Sequence, residues 1–335
     1  MTPYLRPLAL CTLLTLALGG CYALQSADQA PRSPYEGTAL IAEIRDFERG
    51  IAFAATNNFQ SYSEETKSFP FCGHVSRHYL PYSYQDPAIQ WFKIASEDEC
   101  RAFDQTADIS YGETEAVGER ATPVTLSMLS ASLDRFVYVV IHEDCHEQFE
   151  LPHGIEEAVC NVIGFKAMAA FGQEKFKALS RERRTMQRVA REGAEQSRAT
   201  VEHYERLAAL YAHHERSAMP QDVFLRERGR IFRSAERRLA WPKGTMNNVW
   251  IANAMTYSRH YPLVERVYDA LGRDLARTVA FFKHVDKSKP TPAEVMERNG
   301  LQSETSVEFV RAYEAAIVEA IEKALAAPGT RVRRL

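Results

Sequence analysis

The stretch FVYVVIHEDCHEQFELPHGIEEAVCNVIG, running from Phe136 to Gly164, decides how this chain is read. Within it His142-Glu143-Asp144-Cys145-His146 fits the pattern H-E-x-x-H. Glu156-Glu157 then opens a second apolar run after a break at Pro152-His153-Gly154. Residues i and i+4 of a helix share a face, so both imidazoles can reach one ion. Zinc accepts such nitrogens, usually adds a third side chain, and keeps one position open for water. Glu143, next to the first ring, is placed to act as a general base. The apolar run Phe136–Ile141 leads directly into the histidines, which predicts a buried helix and not a surface helix with two solvated rings. Asp144 is the unusual choice, a charge at a position that such helices usually leave uncharged. A second, antiparallel helix with an acidic start can supply the third ligand. These residues predict a hydrolase that holds one zinc ion, Zn2+.

Glu157 is followed by Ala158, Val159 and Cys160. This resembles the E-x-x-A/S helix of the gluzincins, zinc peptidases with two His ligands and one Glu. The resemblance implies Glu157 as the third ligand. Glu156 then stands where many relatives carry Asn, and it is the alternative ligand. Asn161, four residues beyond Glu157, falls on the metal-facing side, either as a partner that orients an imidazole or as an ordinary polar contact between helices.

The chain has 335 residues, a net charge of −3, 25% charged and 45% hydrophobic residues. That composition suits one substantial domain or two small ones, and a near-neutral charge gives no reason to expect a nucleic-acid partner. Met1–Gly20 carries one early cation, Arg6, then the apolar run Pro7–Leu18 and small residues. This predicts a secretory signal peptide, too short for a stop-transfer span. Leu18-Gly19-Gly20-Cys21 resembles a bacterial lipobox. That likeness implies an acylated Cys21 as lipid anchor, and Tyr22 in place of Asp points to the outer membrane with the body in the periplasm. Residues 21–37 read as a tether.

Residues 38–335 then read as a single catalytic domain. Its mixed α/β part covers 38–120, the metal-site helices 121–170, a helical hairpin 171–240 and a helical C-terminal part 241–335. Helical spacing predicts a helix over Thr38–Ala55, and short aromatic runs at His78–Tyr84 and Ile89–Ile94 predict strands. Ser96 with Glu99 resembles a capping box, residues 107–123 read as a polar loop, and Thr122-Pro123 reads as the start of one or two helices. Gln173–His214 is rich in Arg, Lys and Glu with a thin apolar stripe, and Asp222–Leu239 is the return helix beyond Pro220. The cations there alternate with Glu, which predicts a solvated, ion-paired face. Pro262 opens a helix Leu263–Leu271, and capping boxes are expected at Thr291/Glu294 and Thr305/Glu308. The last helix runs to about Ala327, and Arg331–Arg334 reads as a frayed basic tail.

Further stretches are Ile44-Arg45-Asp46-Phe47, Gly73-His74-Val75-Ser76, Leu207-Ala208-Ala209-Leu210-Tyr211, Asn247-Asn248 with Thr256-Tyr257, and Gly272-Arg273-Asp274-Leu275-Ala276-Arg277. Together with the metal region, and in the same order, they resemble the bacterial predicted-aminopeptidase family of lipoprotein-type, gluzincin-like proteins. The expected fold is α+β and mostly helical, a zincin-like core with a small N-terminal region of short strands and a long charged helical hairpin. Two departures stand out: the usual H-E-L-A-H is H-E-D-C-H here, and N-E-S-F-A becomes E-E-A-V-C. Both cysteines fall where relatives carry Ala. That motivates a Cys145–Cys160 bridge among the three pairings open to Cys72, Cys100, Cys145 and Cys160. The resemblance also nominates Tyr257 to stabilise an oxyanion and Asn247 and Asn248 to hold substrate backbone, where the plain reading is a buried Tyr and two capping asparagines. Gluzincin aminopeptidases carry a G-x-M-E-N segment for the free amine. It is missing here, which leaves Glu113, Glu115 or Glu156 for that task. Two functions follow. One is a lipid-anchored zinc metallopeptidase of the cell envelope acting on peptides or proteins. The other is a non-catalytic envelope protein that keeps the zinc fold for binding, favoured by Asp144 and the charged hairpin.

Overall fold

The computed structural model describes residues 32–63, 68–115, 121–217 and 219–327. The signal segment, Cys21, most of the tether and the basic tail lie outside them. Helix α1 (Pro34–Gly50) starts at a full capping box between Ser33 and Glu36, with Pro34 at its first position. It therefore begins before the expected Thr38 and stops before Ala55, and the last residues assigned to the tether are helical. Next come β1 (Tyr62–Ser63), β2 (Ser68–Ser76), β3 (Gln90–Lys93), α2 (Glu97–Arg101), β4 (Ala107–Glu115) and β5 (Val124–Thr125). β2 lies between β3 and β4, antiparallel to both, and β1 pairs with β5 in parallel.

Three further segments of this part depart from expectation. His78–Tyr84 is turn and coil, and the aromatic content that suggests a strand serves side-chain packing. Ser96 makes no side-chain cap, because Glu99 bonds the Ala95 N–H instead. The expected polar loop at 107–123 is a strand as far as Glu115, and its polar residues are buried by distant partners. Asp108 accepts from the Asn248 N–H at 2.9 Å, pairs with Arg228, and lies 3.7 Å from the Arg77 guanidinium. A buried carboxylate needs such partners.

The helices follow as α3 (Leu126–Ser130), α4 (Leu133–His146), α5 (His153–Lys175), α6 (Arg181–Arg216), α7 (Gln221–Leu239), α8 (Asn248–Ser258), α9 (Tyr261–Ala270), α10 (Leu275–Ser288), α11 (Pro292–Asn299) and α12 (Val307–Ala326). The helix after Pro123 starts later than expected, capped by Thr125 once β5 has paired. The box at Thr291 and Glu294 forms, whereas the last helix is capped by Ser306 and not by Thr305. α4 and α5 run antiparallel through one core with α1, the first half of α6, α9, α10 and α12, and the second half of α6 builds a second with α7 and α8. The charged hairpin is thus part of the body. Gly193 of α6 makes this possible, since a Cβ there would stand 2.3 Å from the Phe165 ring of α5. Cys72 bridges to Cys100 and Cys145 to Cys160, each pair with Cα atoms 5.5 Å apart. Among the described residues no helix is long and apolar enough to cross a membrane.

Asp144 ties α1 and the following loop to α4. Fully buried, it accepts from Thr56 Oγ1 at 2.5 Å and Asn58 Nδ2 at 3.1 Å, with Arg45 Nε at 3.5 Å. Glu48 is buried beside it, and burial together with Asp144 pushes the Glu48 carboxyl up to about 9. A folded-state value above the unfolded one means that this contribution is complete below about pH 4.5 and drains away as the pH rises towards 9. Glu48→Gln keeps a donor for Asp144 without the titration. It should leave stability almost unchanged near pH 4 and raise it by roughly 1–3 kcal/mol near pH 8, as read by urea denaturation at both pH values.

Candidate metal centre

His142 and His146 lie in the last two turns of α4, one helical turn apart, and face the first turns of α5 where Glu157 projects back. His142 Nε2 lies 3.2 Å from His146 Nε2 and 3.3 Å from Glu157 Oε2, and His146 Nε2 is 3.7 Å from the same oxygen. Four ligands about 2.0–2.1 Å from a zinc ion at tetrahedral angles sit about 3.3–3.4 Å from one another. The three donor atoms are therefore spaced as three corners of such a tetrahedron. Glu157 Oε2 is buried without a hydrogen-bond partner in the protein, as suits an oxygen reserved for a cation. His142, His146 and Glu157 form the one such donor group among the described residues.

The outer nitrogens of both rings are spoken for. His146 Nδ1 lies 2.8 Å from Glu156 Oε1, and the other Glu156 oxygen accepts from the Leu151 N–H at 2.9 Å. His142 Nδ1 lies 3.2 Å from the Tyr138 hydroxyl. Tyr138 in turn donates to Asn161 Oδ1, and Asn161 Nδ2 donates to the Tyr257 carbonyl at 2.9 Å. With Asn161 accepting from Tyr138, the Tyr138 oxygen accepts from His142 Nδ1–H, which leaves the Nε2 lone pair for a metal. Such outer partners fix tautomer and ring angle. Gly164 gives the Tyr138 ring its place, because a Cβ there would stand 3.1 Å from the ring.

Electrostatics around the triangle are polarised. Burial works against a charged Glu157, yet His146, His142 and His153 hold its carboxyl down at about 2. Burial likewise opposes charge on His146, and Glu157, Glu156 and Glu143 overcome it to lift the ring to about 10. The pocket thus attracts positive charge strongly, and a divalent cation satisfies that demand with both rings neutral. Burial raises the Glu143 carboxyl, with His142 and His146 pulling the other way. Burial also raises the Tyr257 hydroxyl well above its usual range, reinforced by Glu157, Tyr84 and Glu143, so it stays a proton donor.

The structure thus brings together His142, His146, Glu157, Glu143, Glu156, Asn161 and Tyr257, along with Cys145 and Cys160, whose bridge joins the two ligand helices. It places Asn247 and Asn248 elsewhere. Asn247 caps α8 through the Val249 and Trp250 N–H groups and donates to the Ile109 carbonyl. Asn248 is buried and donates to the Tyr79 carbonyl and Tyr211 hydroxyl. Both amide nitrogens serve the junction between α8 and the sheet region. Glu156 is engaged by His146 and by the Leu151 N–H. The side chains of Glu113 and Glu115 lie outside the described residues.

Tyr138 and His153 are the site members that motif reading misses, although each sits four residues before a ligand on the same helix face. His153 Nε2 lies 3.7 Å from Glu157 Oε1 and 3.0 Å from the hydroxyl of Tyr84, a partner for which local sequence carries no signal. Glu156 meets His146 at Nδ1, away from the Nε2 triangle, so with zinc in that triangle Glu156→Gln should weaken its binding about 10–100-fold while the fold persists, measured by competition with a chromophoric chelator.

A family model described as "Putative aminopeptidase" matches residues 50–298, 249 of the 335 residues, and that span holds every member of the site. No curated protein and no solved structure matches the chain. The chain belongs to this aminopeptidase family.

Proposed function

We propose that the protein is a zinc-dependent peptidase in which His142, His146 and Glu157 hold the ion. The observation that carries this reading is the triangle of donor atoms, spaced for tetrahedral zinc, with Glu143 beside it on the same helix. Zinc, when bound, supplies Lewis acidity towards a scissile carbonyl and makes water a competent nucleophile at neutral pH. The chain's own residues do the rest. Glu143 takes the proton of the attacking water and hands it to the leaving amine. Tyr257, kept protonated by burial, donates a hydrogen bond to the oxygen on which negative charge develops. Glu156 and the Tyr138–Asn161 pair hold the two rings in the tautomer that presents Nε2. The family supports peptides as substrates and removal of N-terminal residues as the mode. Acylation at Cys21 and a place in the cell envelope, at the outer membrane facing the periplasm, complete the proposal on the strength of the first 21 residues.

The rival reading, a non-catalytic zinc fold, draws on Asp144 and the charged hairpin. Neither favours it once the packing is known. Asp144 anchors Thr56 and Asn58 on the far side of α4, and the hairpin packs into the body. Glu143→Gln in the form lacking residues 1–21 should lower peptide hydrolysis by about 10²–10⁴-fold with one zinc still bound. Full turnover in that variant would strip Glu143 of the general-base role. Tyr257→Phe should cut kcat about 10²–10³-fold with KM little altered, and an unchanged kcat would release Tyr257 from its role.

A further inference from the structure

We propose that the end of the helix bundle opposite the metal centre, around the turn from α5 to α6, docks on an anionic lipid bilayer, so that the site faces away from the membrane. Glu174 to Glu192 contains seven cations and three acids. Two of the cations are neutralised, Lys175 by Glu43 and Arg188 by Glu192. Lys177, Arg181 and Arg184 are exposed, and Leu179, between Lys177 and Arg181 along the chain, has 83% of its surface in water. Folding does not account for these choices. Arg181, Arg183 and Arg184 stand in the first turn of α6, against the positive end of its dipole, where acids are preferred. An exposed apolar side chain within a run of exposed cations is, in contrast, what a surface of acidic headgroups over hydrocarbon accepts.

The path of the chain gives an independent reason. Glu157 and Lys175 are eighteen residues apart on one helix, which separates the cations from the metal centre by about 27 Å. The N-terminal segment joins the body just ahead of α4, at the end of that helix away from its histidines. There the Arg32 N–H donates to the Leu129 carbonyl at 3.0 Å and its guanidinium to the Ala131 carbonyl at 2.7 Å, just ahead of α4. α4 and α5 are antiparallel, with Tyr138 in the first half of α4 stacked on Phe165 in the second half of α5 at 4.7 Å, so the start of α4 points towards the end of α5. Tyr35, 83% exposed, stands at this entry. Ten residues separate Cys21 from Arg32, a reach of at most about 35 Å. α12 leaves Glu314, which rests on Gly154 near the metal centre, and runs away from it to Ala326. The described chain thus begins and ends towards the pole that carries the cations.

The docking surface needs neither the acyl group nor hydrolysis, so its test stands apart from both. The zinc-loaded chain lacking residues 1–21 is sedimented with vesicles of phosphatidylcholine alone or with about one third phosphatidylglycerol. Binding is expected on the anionic vesicles only, weakening as salt is added. Replacing Lys177, Arg181 and Arg184 together by Gln should lower partitioning roughly 100-fold, about five-fold per cation. Leu179→Ser should lower it several-fold more, with zinc content and hydrolysis unchanged in every variant. Wild-type protein that ignores anionic vesicles, or a triple variant that binds them equally, overturns the proposal. Binding of a duplex oligonucleotide through the same cations without vesicle binding assigns the surface to nucleic acid and overturns it too.

Discussion

Everything at the candidate site depends on the separation of two antiparallel helices. Nε2 of His142 and His146 and one oxygen of Glu157 come within 3.2–3.7 Å of one another because α4 and α5 are held at a fixed distance and rotation. Three unlike devices hold them. The Cys145–Cys160 bridge joins the helices within a turn of the ligands. The Tyr138 ring lies on Gly164 and passes its hydrogen bond to Asn161 across the interface. Asp144, on the opposite face of α4, fastens that helix to α1 and the loop at Thr56–Asn58. A displacement of about 1 Å in such a constellation is enough to spoil it, which explains why so much local structure converges on one contact.

The same separation explains the polarity of the pocket. Glu157 and Glu156 both reach from the start of α5 to the rings of α4, one towards Nε2 and the other towards Nδ1. Two adjacent acids thereby touch opposite nitrogens of the ring pair, which in the proposed site divides binding from orienting. The bundle carries this arrangement at one pole and its basic turn at the other, so the geometry that isolates the metal centre also gives the molecule a direction.

Much of this is legible in the sequence wherever the signal is local. The i, i+4 histidines, the acidic start of the next helix, the capping box at Thr291 and the return helix after Pro220 are all set by neighbours within a few residues. What stays hidden depends on partners far along the chain. β4 reads as a loop because Asp108 and Ser110 are polar, and partners such as Arg228 and Asn248, 120 and 140 residues away, make Asp108 a buried strand residue. Asn247 and Asn248 suggest substrate binding by their company with Tyr257, while their amides serve strand β4 and the Tyr79 turn. Asp144 argues against catalysis only as long as its donors, Thr56 and Asn58, are out of view. Tyr138 lies within reach of sequence reasoning, since its place four residues ahead of His142 is enough to nominate it.

The position of the metal is the most direct test. Crystals of the chain lacking residues 1–21, grown with zinc and measured on both sides of the zinc absorption edge, should show one anomalous peak. It should lie about 2.0–2.2 Å from Nε2 of His142 and His146 and from a Glu157 oxygen. A peak at another group of side chains, or none in protein that has been offered zinc, would contradict the central claim.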